Sequence, residues 1–198
     1  RVQLLKINYI DTKTGYIRRH YGFIIEDFAL LRDRVGAEKC LNPLGIEKKD
    51  INREEYKKMA LFQYMIGNTD WRIKGGHNTT YIKSLTKLTD KVTPIPYDFD
   101  FAGFVDTHYS HPQSWTSIKH VTEREYLGYC RNNDEAYLKT INLFLDKKDQ
   151  IIKTIESFSY LSEREREALV KYLESFYDLL NYPDRFISTL KSQCKTDF

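Results

Sequence analysis

The chain has 198 residues, 41% of them hydrophobic, which is the length of one large domain or two small ones and suffices to bury a proper core. Thirty-one basic and 28 acidic residues leave a formal net charge of +3. These charges are scattered and form no basic run or basic stripe interleaved with aromatic residues, so we expect no nucleic-acid binding. No stretch approaches the roughly twenty apolar residues of a membrane span, and we expect a globular chain without one.

The first part of the sequence predicts a β-hairpin followed by a short helix. Residues 2–10 and 16–25 are rich in β-branched and aromatic residues, and a polar turn cluster separates them. Asp27 is placed to cap a helix that Gly36 would end. Residues 37–50, which include a proline and a glycine, are predicted to form a connector.

A second helix and a second hairpin are predicted in the middle of the chain. Asn52 and Glu55 match a capping-box pattern at the start of an apolar repeat with helical spacing, and Gly67 ends that repeat. Residues 79–83 and 92–97 are short β-rich runs separated by a polar spacer, most simply two strands of a small hairpin.

The remainder is predicted to be a long loop and then helices almost to the end. Capping-box pairs mark two helix starts, Thr122 with Glu125 and Ser162 with Glu165, and Pro183 is placed in the first turn of a last helix. Apolar residues at helical spacing predict two more helices, one around 136–145 and one around 151–155.

The cysteines and the first residue are features that can indicate the cellular compartment of a protein. Cys40, Cys130 and Cys194 lie far apart, so their spacing predicts neither a zinc site nor a disulfide framework, and we expect ordinary buried or half-buried thiols. The chain begins at Arg1 with neither an initiator Met nor a signal peptide, so we expect it to be cut from something longer.

Four oxygen-bearing side chains, Asp70, Asn78, Asp98 and Asp100, lie on loops that flank the two short strands. Carboxylate and amide oxygens are the ligands that a hard divalent cation such as Mg²⁺ prefers. Asp98 and Asp100 alternate with aromatic residues, and a strand with its acids facing water would show the same alternation. Two acids on one face repel each other unless a cation lies between them, so the pattern favours a metal site.

The order of these residues along the chain resembles the protein-kinase template. There, a loop Asp accepts the proton of the substrate hydroxyl, a following Asn holds one Mg²⁺, and an Asp after the next strand holds the other. In detail the sequence is similar to the atypical CotH-type kinases and, more distantly, to HipA-type kinases. The motifs that carry this likeness are Asn68-Thr69-Asp70, His77-Asn78 and Pro96-Tyr97-Asp98-Phe99-Asp100.

The resemblance implies an α+β fold, namely a mainly helical kinase-like large lobe with an N-terminal β-hairpin and a small β-hairpin that carries the site. Residues 1–26 would be the remnant of a small-lobe hairpin and the hinge, and residues 27–198 the helical C-lobe. ATP would be the substrate, with Mg²⁺ or Mn²⁺ as cofactor. By the same resemblance Asp70 is the catalytic-loop acid, and the metal ligands are Asn78, Asp98 and Asp100.

The hinge and the phosphate-binding parts are also implied by the resemblance. Backbone groups of Ile25, Glu26 and Asp27 would meet the adenine. The glycine-rich loop and its strand lysine have no counterpart in the sequence, and we expect both upstream of Arg1. The chain by itself would then bind ATP poorly and turn over little.

Two other functions stay open at this level. An apolar strand followed by Asp-x-Asp also opens the sites of metal-dependent phosphohydrolases, although the helices that follow here disfavour that class. A catalytically silent nucleotide-binding module of kinase fold is the other alternative. The sequence does not identify the acceptor of the phosphate group, which would be a protein or a small molecule. The resemblance to CotH-like proteins favours an extracytoplasmic bacterial setting.

Overall fold

The computed structural model describes residues 1–40, 43–85 and 90–196 of the chain. Over these residues the structure is α+β, as predicted, with five α-helices and two small antiparallel sheets. Among the described residues, no helix combines the length and the apolar character needed to cross a membrane.

The N-terminal hairpin is confirmed almost to the residue. Strand β1 spans Val2–Ile10 and pairs antiparallel with β2, Ile17–Ile25. The turn between them is held by Asp11, whose side chain accepts hydrogen bonds from the backbone of the two residues Lys13 and Thr14. Most of the large apolar side chains of the hairpin are exposed to solvent.

The predicted first helix is also confirmed. Helix α1, Phe28–Val35, is capped by the side chain of Asp27 and ends at Gly36, whose left-handed backbone (φ 59°) accommodates the turn. The connector after it is wrong in part, because Ala37–Lys39 forms a strand, β3. A strand of three residues is too short to show any periodicity in the sequence.

Strand β3 belongs to a three-stranded sheet that we call the site sheet. Its other strands, β4 (Thr79–Ser84) and β5 (Val92–Pro96), are the predicted small hairpin, and the strand order is β3-β4-β5. Tyr81 in β4 is fully buried and Val92 in β5 is 5% exposed, so one face of the sheet packs into the core.

Helix α2, Arg53–Met65, runs through the centre of the core and ends just before the predicted site. Asn52 caps it by accepting hydrogen bonds from Glu54 and Glu55. The apolar face of α2 meets the C-terminal helices: the ring of Tyr64 lies 5.5 Å from that of Phe186. The buried side chains of α2 are Tyr56, Met59, Ala60, Leu61, Gln63, Tyr64 and Met65.

The two helices predicted around 136–145 and 151–155 are one helix. Helix α3, Asp134–Glu156, is 23 residues long and starts after the cap Asn133. The polar residues 146–150 between the two apolar groups contain no glycine or proline and are compatible with a helix. Four of these five residues are exposed, and the helix runs through them without a break.

The helix start predicted at Thr122 is wrong. Glu125 does not close a capping box; its buried carboxylate accepts hydrogen bonds from the backbone and hydroxyl of Ser117 and from Lys195. Those contacts hold the loop against the end of the chain. Local spacing cannot distinguish a capping Glu from one whose partners are remote in sequence.

The two C-terminal helices follow the prediction. Helix α4, Glu163–Leu180, begins with a complete Ser162–Glu165 capping box, and α5, Pro183–Gln193, has proline at its first position. The buried side chains of these helices close the core around α2; they are Leu173, Phe176, Tyr177, Leu180, Phe186, Ile187 and Leu190.

The prediction of three ordinary thiols is wrong for two of them. Cys130 and Cys194, 64 residues apart in sequence, form a disulfide with their Cα atoms 4.9 Å apart, and Cys40 is free. The disulfide ties the loop before α3 to the residue that follows α5. A single pair at long spacing carries no sequence signature, because the fold alone brings the two residues together.

Candidate functional site

The loop after α2 returns on itself and brings residues from its two ends together. Gly75 and Gly76 have positive φ angles of 81° and 64°, which glycine adopts without a Cβ penalty. They form a tight turn closed by a hydrogen bond from the backbone of Arg72 to that of His77. The residues between Asp70 and Asn78 are thereby looped out.

Asp70 is 8% exposed, and hydrogen bonds hold both its backbone and its carboxylate. Its backbone nitrogen donates to the side chain of Asn68, which in turn donates to Gln63 at the end of α2. Its Oδ1 lies 2.7 Å from Nε2 of His77, and its Oδ2 accepts from Nδ2 of Asn78 at 2.9 Å. The carboxylate therefore has a defined direction, and each oxygen keeps a lone pair.

Asn78 connects Asp70 to the site sheet. Its Nδ2 donates to the backbone carbonyl of Asp70 at 2.8 Å as well as to the carboxylate, so its amide oxygen remains as the atom able to ligate a cation. Its backbone carbonyl accepts from Tyr97, at the end of β5. Asn78 has a positive φ of 49°, an uncommon conformation that tends to occur at functional sites.

The end of β5 brings Asp98 and Asp100 to the same place. Loss of hydration on its inner side, and then the carboxylates of Asp100 and Asp70, raise the pKa of Asp98, while His77 opposes the rise. Asp98 also has a positive φ, 59°. Asp100 is held by Tyr109, whose hydroxyl donates to its Oδ2 at 3.1 Å. The four predicted residues are thus linked in pairs, and we call Asp70, Asn78, Asp98 and Asp100 the oxygen cluster.

The oxygen cluster fits Mg²⁺ or Mn²⁺ by the chemistry of its donors. The carboxylates of Asp98 and Asp100 and the amide of Asn78 are hard oxygen ligands, and the repulsion among acids, which adds to the effect of burial in raising the pKa of Asp98, is what a cation would relieve. Within the described ranges, no three His, Cys, Asp or Glu side chains are close enough to hold a metal ion. The donor set is therefore suitable in type, but its carboxylates do not converge on one point by themselves.

The three residues predicted for the hinge have other partners. Glu26 forms an ion pair with Arg34 at 2.6 Å and with the amino terminus at 3.2 Å, and these contacts lower its pKa to about 2. Asp27 caps α1, and Ile25 is 66% exposed at the end of β2. None of the hydrogen bonds described for these three residues reaches the oxygen cluster.

Sequence reasoning missed the aromatic wall beside Asp70. The indole nitrogen of Trp115 donates to the backbone of Thr69 at 3.1 Å, and its ring lies edge-on to His77. Arg72 stacks over the same ring at 4.4 Å. His77 bonds to Asp70 directly. Its position next to Asn78 was a usable signal, whereas Trp115 comes from a remote loop and gave none.

Comparison of the chain with protein-family models, with curated proteins and with solved structures found no match. The likeness to CotH-type kinases is thus a sequence-based expectation, and the function has to be argued from the site itself.

Proposed function

We propose that the chain is the large lobe of an atypical, CotH-like phosphotransferase that uses Mg²⁺ and ATP. The observation that carries the proposal is that Asp70, Asn78 and Asp98 occur in the order of the kinase template and that Asn78 and Asp98 each interact with Asp70. Asn78 bonds directly to Asp70, and Asp98 interacts electrostatically with Asp70 across the site.

In this proposal Asp70 orients the hydroxyl group of the acceptor. Its carboxylate is held by His77 and Asn78 and retains lone pairs to accept the hydrogen bond of a substrate hydroxyl. A carboxylate with a fixed direction holds the acceptor in line for attack, which lowers the entropy lost on reaching the transition state. The acceptor is a protein side chain or a small molecule.

Asn78, Asp98 and Asp100 would hold the cation. When bound, Mg²⁺ would neutralise negative charge that develops on the β- and γ-phosphates of ATP. The two positive φ angles, at Asn78 and Asp98, support this role. Left-handed backbone at a non-glycine residue has an energetic cost, and such conformations cluster at sites where a side chain must point in one direction.

A catalytically silent nucleotide-binding module is the second candidate. It is favoured by one observation: within the part of the chain that the structure describes, no three acidic or His/Cys side chains form a metal-binding group. A metal-dependent phosphohydrolase has less support, because the helices α3 to α5 follow the Asp-x-Asp segment in place of repeated strand-helix units.

The disulfide supports the extracytoplasmic setting expected from the resemblance. Disulfides persist in oxidising compartments and are rare in the cytosol. The Cys130–Cys194 bond lies in the helical body, where it joins segments 64 residues apart. We therefore propose that the protein functions outside the cytoplasm.

Metal binding provides the direct test. We expect the chain to bind Mn²⁺, measured by electron paramagnetic resonance, and Mg²⁺ to compete for the same site. Asp98→Asn should abolish binding and change the free energy of unfolding by less than about 0.5 kcal/mol, as is usual for a solvent-exposed residue. Asp90→Asn, at a fully exposed aspartate remote from the cluster, is the matched control and should bind normally.

A second experiment distinguishes the phosphotransferase from the silent nucleotide-binding module. Asp70→Asn should retain Mn²⁺ binding, because Asp70 is not one of the proposed ligands, but should lose phosphate transfer from ATP to any acceptor. If the unmodified chain binds Mn²⁺ and ATP without transfer, even with upstream residues added, the silent module is correct. A chain that binds no Mn²⁺ even at about 10 mM metal, a concentration at which a useful site would be filled, would contradict the phosphotransferase.

A further inference from the structure

A second cavity, away from the oxygen cluster, is lined mainly by basic side chains. It has a volume of about 970 Å³ and lies between the residues before α2, the first turn of α2 and the segment that leads into α3. This volume is within the range of small-molecule sites. No member of the oxygen cluster lines it. We call it the basic pocket, defined by Lys48, Lys49, Arg53, Lys57, Lys74 and Arg131.

The charge of the basic pocket is strongly one-sided. Its lining contains six basic side chains and two acidic ones, Glu47 and Glu54, so positive charges exceed negative ones by four. The chain as a whole carries a net charge of only +3. The two acids are paired with Lys49 and Lys57, so the charges of Lys48, Arg53 and Arg131 are not offset by an acid of the lining. A cavity with one sign of charge concentrates the opposite ion.

Arg131 supplies a donor without a protein acceptor. Its Nε is buried and has no hydrogen-bond partner among the residues that the structure describes. The guanidinium lies 6.0 Å from the ring of Tyr56, which also lines the pocket. A buried donor is rarely left unsatisfied, and the planar guanidinium matches the oxygens of a phosphate or carboxylate.

The wall that carries Arg131 is rigid. Its neighbour Cys130 is joined to Cys194 by the disulfide, and the backbone of Cys130 donates to that of Lys195 at 3.0 Å. On the other side, the backbone of Tyr129 donates to the hydroxyl of Tyr56 at 3.0 Å, and the two rings stack. A preformed wall loses little entropy when a ligand binds.

The starts of two helices also border the basic pocket. Arg53 opens α2, and Asn133, the cap of α3, lines the cavity together with Ala136 in its first turn. The positive ends of two helix dipoles therefore lie at the pocket. Acidic residues in the first turns, such as Glu54 and Asp134, offset part of this effect, so the side-chain charges dominate.

We propose that the basic pocket binds a small polyanion that carries two or more phosphate or carboxylate groups. This site is separate from the oxygen cluster and does not depend on the proposed phosphotransfer. Arg131 would bind one oxyanion group at the rigid wall, and Arg53 with Lys48 would bind a second group.

The test is calorimetric titration of the whole chain with tripolyphosphate and, separately, with citrate. Divalent metal is removed beforehand on a chelating resin and about 100 mM salt is present, so that neither the metal site nor weak surface attraction contributes. We expect a dissociation constant below about 1 mM for at least one probe. The probe that binds more tightly shows whether phosphate or carboxylate groups are preferred.

Two variants locate the binding. Arg131→Met, which retains the apolar stem beside Tyr56, and the double change Lys48→Gln with Arg53→Gln should each weaken binding about tenfold or more, as loss of charged hydrogen bonds implies. The double variant alters exposed side chains only and should fold normally.

Two controls make the outcome decisive. Arg18→Gln with Arg19→Gln removes the same charge from the exposed hairpin and should leave the affinity unchanged, as should Asp98→Asn. Equal weakening by the hairpin control would show unspecific attraction and overturn the proposal. Absence of binding for both probes would overturn it as well, whatever the result of the Mn²⁺ experiment.

Discussion

The N-terminal hairpin and the site sheet are both small antiparallel structures, but they are stabilised in different ways. In the hairpin, side chains such as Phe23 (63% exposed) and Ile24 (58%) remain in contact with solvent. In the site sheet, Tyr81 is fully buried, and its hydroxyl donates to the backbone of Ile73 beneath the looped-out turn. The hairpin depends on its own strand pairing, and the site sheet depends on the helical body.

This difference matters for the oxygen cluster. A two-stranded hairpin is only marginally stable by itself in water, whereas the site sheet is held in place by its packing against the core. Asn78 and Asp98 lie directly at the ends of β4 and β5, so their left-handed backbone can be maintained by the surrounding packing. A precise site is expected on the buried sheet and not on the exposed one.

The largest expected effect comes from removing a tyrosine from each sheet. Tyr81→Ala deletes a buried ring and should lower the free energy of unfolding by about 3–5 kcal/mol. Tyr16→Ala, next to β2 and 64% exposed, should change it by less than about 0.5 kcal/mol. Urea unfolding measures both. Similar losses for the two variants would mean that the hairpin is as well packed as the site sheet.

Reduction of the disulfide should destabilise the helical body by about 3 kcal/mol, because the cross-link closes a long loop. Hydrogen exchange should then accelerate in α5 and leave the hairpin strands unchanged. Cys40→Ser, at the free cysteine, controls for the thiol itself and should not alter the response to reductant. Faster exchange in the hairpin as well would show that the two regions unfold together.

Alanine substitutions at two glycines, one near the core and one in the hairpin turn, should have effects of intermediate size on stability. A Cβ at Gly103, after the Asp-x-Asp segment, would lie 2.3 Å from the backbone oxygen of Val121, so Gly103→Ala should cost about 2–3 kcal/mol. Gly15, in the hairpin turn, has a positive φ of 71° but open space around it. Gly15→Ala should cost only about 1 kcal/mol. A reversed order in thermal unfolding would contradict the packing described here.

The smallest effect is a pH dependence at the base of the hairpin. Because contacts with Arg34 and the amino terminus lower the pKa of Glu26 to about 2, the folded state binds the proton less readily than the unfolded chain. The stability that Glu26 contributes is therefore fully present above about pH 4.5 and is lost as pH falls toward 2.

Glu26→Gln tests this dependence. The variant should be slightly less stable than the unchanged chain at pH 7, and the difference should disappear near pH 2. Glu47→Gln, at an exposed glutamate paired with Lys49, is the control of equal charge. A difference that persists at pH 2 would show that the glutamate acts through packing and not through its charge.

Sequence patterns over a few neighbouring residues predicted most of the helices and strands. The hairpin, α1 with its Asp27 cap, and the capping box of α4 all follow from residues within a few positions of one another. The failures have a common cause: the strand β3, the disulfide and the role of Glu125 depend on partners remote in sequence. The same limit applies to the site, where the four oxygen-bearing residues were predicted and Trp115 was not.

The amino-acid sequence alone determined which residues are able to ligate a cation and the order in which they occur, because residue type and spacing are local properties. Only the tertiary structure decided that Asn78 gives its amide nitrogen to Asp70, and that Asp98 lies within electrostatic reach of both Asp70 and Asp100. It also decided where the basic side chains gather into one pocket. Distances between remote residues depend on how helices and sheets pack, and packing is set by the whole core at once.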